Sequence, residues 1–351
     1  MKFIKQNCGV EVDFKELKVC CKMITIEQES KIKGTKTFKN TVKGFQDFFD
    51  WLKKKIDVSL PCHVTMEATG VYYENLVYFL EEQTDFVVHV VLPNVAKAFS
   101  KSLNQKSKTD KLDAKSLASL GLERKLKVWR PCSPKMRELK KVSRERIRLI
   151  RQRTMIMNQM HAEQASYRPS KKILSRAKGM VKKINQLIEA CEKELKEVVQ
   201  QDLELEERIN NVCTAKGLGF ITVVGVIAET NGFKLFKNRK QVVSYAGYDV
   251  VKNESGSSVR GKERISKKGN SYIRQMMYMP SLSAAVHNEH LKGLYQRIVD
   301  RTGIKKKGSV AVQRKLLVLI YHLFTKNEKY DPLYREKNKL KAKPRLNLQT
   351  S

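Results

Sequence analysis

Four acidic residues stand where they could act together on a phosphodiester. Glu11 lies near the end of the first strand-like segment, NCGVEV, and Glu67 closes a later one in VTMEATG. Asp110 and Asp113, three residues apart at the start of a helical segment, share one helix face. Carboxylates gathered at one place repel by about 4 kcal/mol per pair near 4 Å at an effective dielectric of 20, so such a group calls for cations. Two Mg2+ ions would relieve that repulsion, polarise a phosphate and stabilise the leaving oxygen. Taken singly, each acid could equally be a solvated charge, and Asp110 a helix cap or first-turn charge. Far downstream, Asn253-Glu254-Ser255-Gly256-Ser257-Ser258 offers hydroxyls that could attack phosphorus beside a base or a polarised phosphate. The same run is also what a flexible loop looks like.

The elements that must position these groups change character along the chain. Residues 1–130 alternate strand-like and helix-like segments: NCGVEV and LKVCCKMITI as a hairpin around DFKE, the amphipathic helix FQDFFDWLKKK, the strand PCHVTME, the helix GVYYENLVYFLEEQ and the strand FVVHVVLP. That alternation predicts an α/β domain with a mixed sheet. A helix then begins at Thr109 or Asp110 and runs through LDAKSLASLGL.

Composition shifts sharply after residue 123. The 351 residues carry 70 Lys and Arg against 36 Asp and Glu, a net charge of +34, yet 41% are hydrophobic. The chain therefore folds and carries the counterpart of a polyanion, with nucleic acid as the expected partner. Between residues 124 and 183 alone there are 20 basic residues, opposed only by Glu138, Glu145 and Glu163. Ile147, Ile150, Thr154 and Met157 keep a three-four spacing, and so do Ile184, Ile188, Cys191, Leu195 and Val198 after a break at Arg168-Pro169. A basic helical hairpin or coiled-coil arm is expected over 131–210, acidic toward Glu189–Glu207. Arg144, Arg148 and Arg151 are its candidate nucleic-acid contacts.

A second compact region is expected over 211–330, followed by a basic tail over 331–351. Gly217-Leu218-Gly219 is either a phosphate-holding turn between helices or a plain helix C-cap. Arg260, Lys262, Arg264, Lys267, Lys268 and Arg274 are candidate phosphate clamps or a solvated basic surface. The odd number of cysteines, seven, suggests reduced thiols rather than disulfides or a metal knot. His287 and His290 make a lone surface pair, and Trp51 and Trp129 are expected in the core. Apolar runs are too short to cross a bilayer, and the N-terminus meets charge too early for a secretory signal, so a cytoplasmic protein is expected.

Four segments in this order, MEATGVYYENL, KTDKLDAKSLA, GLGFITVVGVIAE and SGSSVRGKERISKKGNSYIRQ, resemble the insertion-sequence 110 family of bacterial transposases. The resemblance extends to the closing VAVQRKLLVLIYHLF. It implies a RuvC-like, ribonuclease-H-type N-terminal domain with a four-carboxylate site, a coiled-coil arm and a mostly α C-terminal transposase domain bearing a serine. Glu67, Asp110 and Asp113 match its second, third and fourth carboxylates. At the first, the family reads Gly-Ile-Asp-Val where this chain has Gly9-Val10-Glu11-Val12; Glu11 takes the position, with Asp13 as the alternative. The serine maps to Ser255, with Ser257 and Ser258 as competitors, and is implied to work with the carboxylates through a phosphoserine link to DNA. Donor and target DNA, a structured bridge RNA as guide, a homo-oligomer (dimer or tetramer) and action at the bacterial nucleoid are implied as well. A metal-dependent junction nuclease of RuvC type and a nucleic-acid-binding protein with an impaired site are the competing readings.

Overall fold

The computed structural model describes residues 2–334 except 84, 105, 106, 108, 253, 256–258 and 262. The chain divides into two compact units, residues 1–131 and 132–351.

In the first unit, β1 (Phe3–Val12), β2 (Glu16–Thr25) and β3 (Ser30–Lys39) form an antiparallel meander. After it come α1 (Val42–Lys53), β4 (Cys62–Glu67), α2 (Glu74–Glu81), β5 (Phe86–Val91), α3 (Pro93–Ser102) and α4 (Asp110–Glu123). The sheet order is β3-β2-β1-β4-β5, with β4 and β5 parallel to β1. This is the mixed α/β sheet that the alternation of segments predicts. Its two faces are packed differently. Cys8, Val10, Val12, Val64 and Met66 bury one face against Phe45, Phe48 and Leu52 of α1 and Leu76 and Leu80 of α2. On the other face α4 comes close, because Cys20, Ala114 and Ala118 meet there and only small side chains intervene. Trp51 and Trp129 are only partly buried, against the edge of the first layer. Neither β3 nor α3 is foreseen above; β3 is an edge strand whose only buried residue is Phe38, and its lysines are what an edge strand uses to stay unpaired.

The second unit opens with two long helices, α5 (Pro134–Ala165) and α6 (Lys171–Gln200), capped by Ser133 and Ser170 and broken at Arg168, whose φ is +56°. Arg146 reaches Glu192 and Arg153 reaches Asn185, so the helices pair antiparallel as a hairpin. Because α6 runs back, the acidic stretch over 189–207 sits at the base of the hairpin beside the basic residues of α5, which it offsets, and the basic residues 168–183 at its tip; the net positive charge is concentrated toward the tip. Lys135 meets Asp202 at the base, 2.9 Å apart. Leu139, Val142, Leu149, Leu195, Val198 and Val199 are buried with the rest of the unit, so the hairpin's base belongs to its core. That core is completed by α7 (Leu203–Cys213), α8 (Phe220–Glu229) and α9 (Arg239–Tyr245). The chain continues through β6 (Val250–Val251), β7 (Glu254–Ser255), β8 (Val259–Arg260) and β9 (Arg264–Ile265), then α10 (Ser271–Met276), α11 (Tyr278–His287), α12 (Glu289–Thr302) and α13 (Lys305–Lys326). Gly217, at φ +98°, packs on Ala284 in the turn between α7 and α8, and Gly219 caps α8. All seven cysteines are free thiols, five of them buried. No helix among the described residues is long and apolar enough to cross a membrane. The tail over 335–351 lies outside the described residues.

Candidate active site

Strand alternation decides where Glu11 points. Cys8, Val10 and Val12 enter the α1/α2 core, so Gly9 and Glu11 face α4. At Gly9 the helix rests on the strand backbone: a Cβ there would collide with the Ala114 carbonyl oxygen and the Ala118 nitrogen and lie 2.9 Å from Ala118 Cα. Two residues earlier, buried Asn7 donates from Nδ2 to the carbonyls of Leu117 (3.2 Å) and Ala118 (2.8 Å). Thus α4 runs antiparallel to β1, and Glu11 comes opposite its first turn. Asp110 continues the helix row of Ala114 and Ala118, and Asp113 that of Leu117, both one turn earlier.

Glu67 arrives from the neighbouring strand. The parallel register pairs Gly9 with Thr65 and Val10 with Met66 and ends there, so Glu11 and Glu67 are the residues that follow the last paired positions on the two strands. Thr65 donates to Asn7 Oδ1 (3.0 Å) beneath α4, and Glu67, two residues on, shares that face. The four acids thus stand at the C-terminal edge of β1 and β4. Glu11 is half-buried, with one carboxylate oxygen shut off from solvent; Asp113 is half-buried and Asp110 exposed. Thr69 donates its hydroxyl to Glu67 (3.2 Å), and Thr109 caps α4 by accepting from the Leu112 nitrogen. Among the described residues no three His, Cys, Asp or Glu side chains are grouped closely enough to hold a metal ion. Asp13 lies beyond the end of β1, exposed, in the turn to β2, where its backbone pairs with Glu16 and Asn40.

In the second unit the backbone of Ser255 pairs with Val259 across the small β7–β8 ladder. Ser257, Ser258 and Lys262 lie outside the described residues, as do the side chains of Ser255 and Arg260. Arg148, Arg264, Lys267 and Lys268 are exposed. Three other arginines are engaged within the unit. Arg144 grips Glu229 with both arms of its guanidinium, at 2.5 and 2.9 Å, and stacks over the Tyr272 ring at 4.4 Å. Arg151 holds the Gln275 side chain, and Arg274 donates to the Ala246 carbonyl at 2.7 Å.

Two clusters go beyond the residues singled out from sequence. Glu229, fully buried, also accepts from Asn270 Nδ2 (2.6 Å), the residue that caps α10, so one carboxylate ties α5, α8 and α10 together. Its partners lie 85 and 41 residues away, and no local pattern marks them. His63 and His89 stack with ring nitrogens 2.9 Å apart, and His89 also bonds the Lys127 carbonyl. Burial and then the neighbouring His89 and Lys5 push the His63 imidazole below its usual value; burial does the same to His89.

Comparison with known proteins gives the family. A family model for IS110 DEDD transposases, described as a transposase, matches residues 9–169, and one described as the transposase IS116/IS110/IS902 family matches residues 209–296. A pilin gene-inverting protein of Moraxella bovis is 25% identical over 301 residues, 86% of this chain and 91% of its own length. The transposase for insertion sequence element IS1111A of Coxiella burnetii is 21% identical over 268 residues, 69% of this chain and 72% of its own. Among solved structures, T. thermophilus RuvC in complex with a Holliday junction substrate aligns with 32% of this chain and 90% of its own, at 10% identity and a TM-score of 0.26. With both family models matched in order over most of its length, the chain belongs to the insertion-sequence 110 family of transposases and is a DNA transposase/recombinase.

Proposed function

We propose that Glu11, Glu67, Asp110 and Asp113 form the strand-cutting centre, and that Ser255 is the nucleophile with which the protein cuts and rejoins DNA. The observation that carries this reading is the register: two adjacent parallel strands end in glutamates on one face, and a helix laid across them begins with two aspartates. All four donors are hard carboxylate oxygens, the set that suits Mg2+, and two such ions would supply charge stabilisation at the phosphate and at the departing oxygen. The chain's own residues hold the donors in place. Gly9 lets α4 approach, Asn7 and Thr65 fix its register, Thr69 orients Glu67, and the Thr109 cap fixes the helix end that carries Asp110 and Asp113.

In the cutting step Ser255 Oγ forms a bond to phosphorus while the bond from phosphorus to the sugar oxygen breaks. The sugar oxygen leaves with the electron pair and takes a proton; the serine proton passes to a base or to solvent. Attack by a sugar hydroxyl of another strand reverses this exchange. The phosphodiester is conserved throughout, so rejoining needs no external energy source. Exposed basic residues of the hairpin tip, Arg148 and the cluster Arg264, Lys267 and Lys268 supply phosphate contacts for donor and target DNA and for a guide RNA, with copies of the chain acting together as a homo-oligomer.

Magnesium-dependent cleavage of labelled DNA, with any required guide RNA, tests the centre. Glu67→Ala, Asp110→Ala or Asp113→Ala should abolish cleavage and leave nucleic-acid binding intact; full activity of any of them refutes the site. Ser255→Ala should remove a protease-sensitive shifted band on a denaturing gel, while Ser257→Ala and Ser258→Ala retain it. Undiminished cleavage without such a band would make water the nucleophile and the protein a hydrolytic nuclease.

A further inference from the structure

Beside the carboxylates, α4 and the β2–β3 pair enclose a cleft of about 300 Å³ lined by Lys18, Lys111 and Lys115 with Thr35 and Thr37, while Lys36 and Val19, between them on the strands, turn their side chains to the other face, Lys36 over the Phe38 ring. Its place is fixed by register: Glu11 pairs with Lys18, and Lys18 with Thr37, as one cross-strand row. Cross-strand partners share a face, so the cleft opens one strand away from Glu11 on the side where α4 lies. From the helix, Lys111 stands between the two aspartates and Lys115 follows one turn later. No acidic side chain lines the cleft; Lys18 is paired at the rim with exposed Glu16.

Three ammonium groups around one small space repel one another, and two hydroxyls beside them add donors; an anion with several oxygens satisfies both. Lysine is a point charge on a flexible stem, suited to holding a phosphate without reading a base. We infer that this cleft holds a backbone phosphate of the DNA strand being cut, next to the phosphate presented to Glu11 and Glu67. The inference rests on the proposed strand-cutting role of those carboxylates. A backbone grip so close to the reacting group aligns the strand whatever its sequence, leaving sequence choice to other contacts.

Two measurements on the full-length chain test this. In the first, lysine acetylation is followed by mass spectrometry with and without a single-stranded DNA. DNA should slow modification of Lys111 and Lys115 several-fold and leave exposed Lys31 and Lys54 of the same unit unchanged. Equal protection of all four, no protection, or protection by RNA alone would overturn the cleft. In the second, the cleaved strand carries one uncharged methylphosphonate linkage next to the scissile phosphate. The unaltered protein should cut it several-fold more slowly than the all-phosphate strand, whereas Lys111→Gln/Lys115→Gln should cut both at the same reduced rate; a variant that still discriminates overturns the assignment. If DNA protects Lys111 and Lys115 yet no strand is ever cut, the cutting role fails and the cleft stands.

Discussion

Replacing Gly9 by alanine changes no charge and removes no donor, yet it should disable the protein. The added methyl would sit 2.9 Å from Ala118 Cα and closer still to the Ala114 oxygen and Ala118 nitrogen, all of them backbone. Backbone cannot rotate away as a side chain can. To restore ordinary contact α4 must lift by about 1 Å, which separates Asp110 and Asp113 from Glu11 and Glu67. Overpacking of this kind costs about 1–3 kcal/mol. For a unit of this size that lowers Tm by roughly 5–10 °C. A misplacement of about 1 Å at a reacting centre costs about 100-fold in rate. Cleavage should therefore fall by about two orders of magnitude at temperatures where circular dichroism still reports a folded chain, with DNA affinity unchanged. Gly179→Ala is the matched control: nothing lies within 4 Å of its added methyl in α6, so relief of glycine's helix penalty should stabilise by about 0.5–1 kcal/mol. Gly9→Ala with full cleavage and an unchanged melting temperature would show that α4 does not rest on β1 and would remove the basis for grouping the four acids.

Further outcomes follow from other parts of the molecule. Changing Lys171, Lys172, Lys178 and Lys182 at the hairpin tip to glutamine together should lower the slope of log affinity against log salt by about 3–4 for duplex DNA; an unchanged slope in a filter-binding titration would move the contact surface to Arg264, Lys267 and Lys268. Glu229→Ala should destabilise the second unit by about 3 kcal/mol, because Arg144 and Asn270 lose the buried carboxylate they share; a denaturant midpoint within error of the parent would refute that tie. Because burial holds His63 and His89 below the usual imidazole value, the folded chain takes up their protons less readily than the unfolded chain. Their contribution is therefore intact above about pH 6.5 and lost as pH falls through the lowered values. Thermal melts from pH 7.5 to 5 should be flatter for His63→Gln/His89→Gln than for the parent, and parallel curves would refute it.

Local pattern makes some of this visible in sequence and hides the rest. Thr109 before Asp110 and Asp113 announces the start of α4, and strict alternation through Cys8, Val10 and Val12 tells which way Glu11 points. The β1–β2 hairpin and the helix break at Arg168 follow from equally short-range signals. By contrast β3 buries one side chain, so its lysines look like solvated loop. The face of α4 that meets the sheet is made of Ala114, Ala118 and Gly121, whose small size carries no hydrophobic stripe. Arg144 looks like any other arginine of a basic helix until the fold delivers Glu229 to it. The lysine cleft draws on three elements separated by up to 97 residues, so only the strand register assembles it.

The antiparallel hairpin is most strongly basic at its tip, while at its base the acids of α6 offset the basic residues of α5, so charge is graded along a rod. In the field of a polyanion such a rod feels a torque as well as a pull. It turns before it touches, so encounters are made tip first. Added salt acts on this pre-alignment within a Debye length of about 10 Å at 0.1 M, and so slows association more than it hastens release.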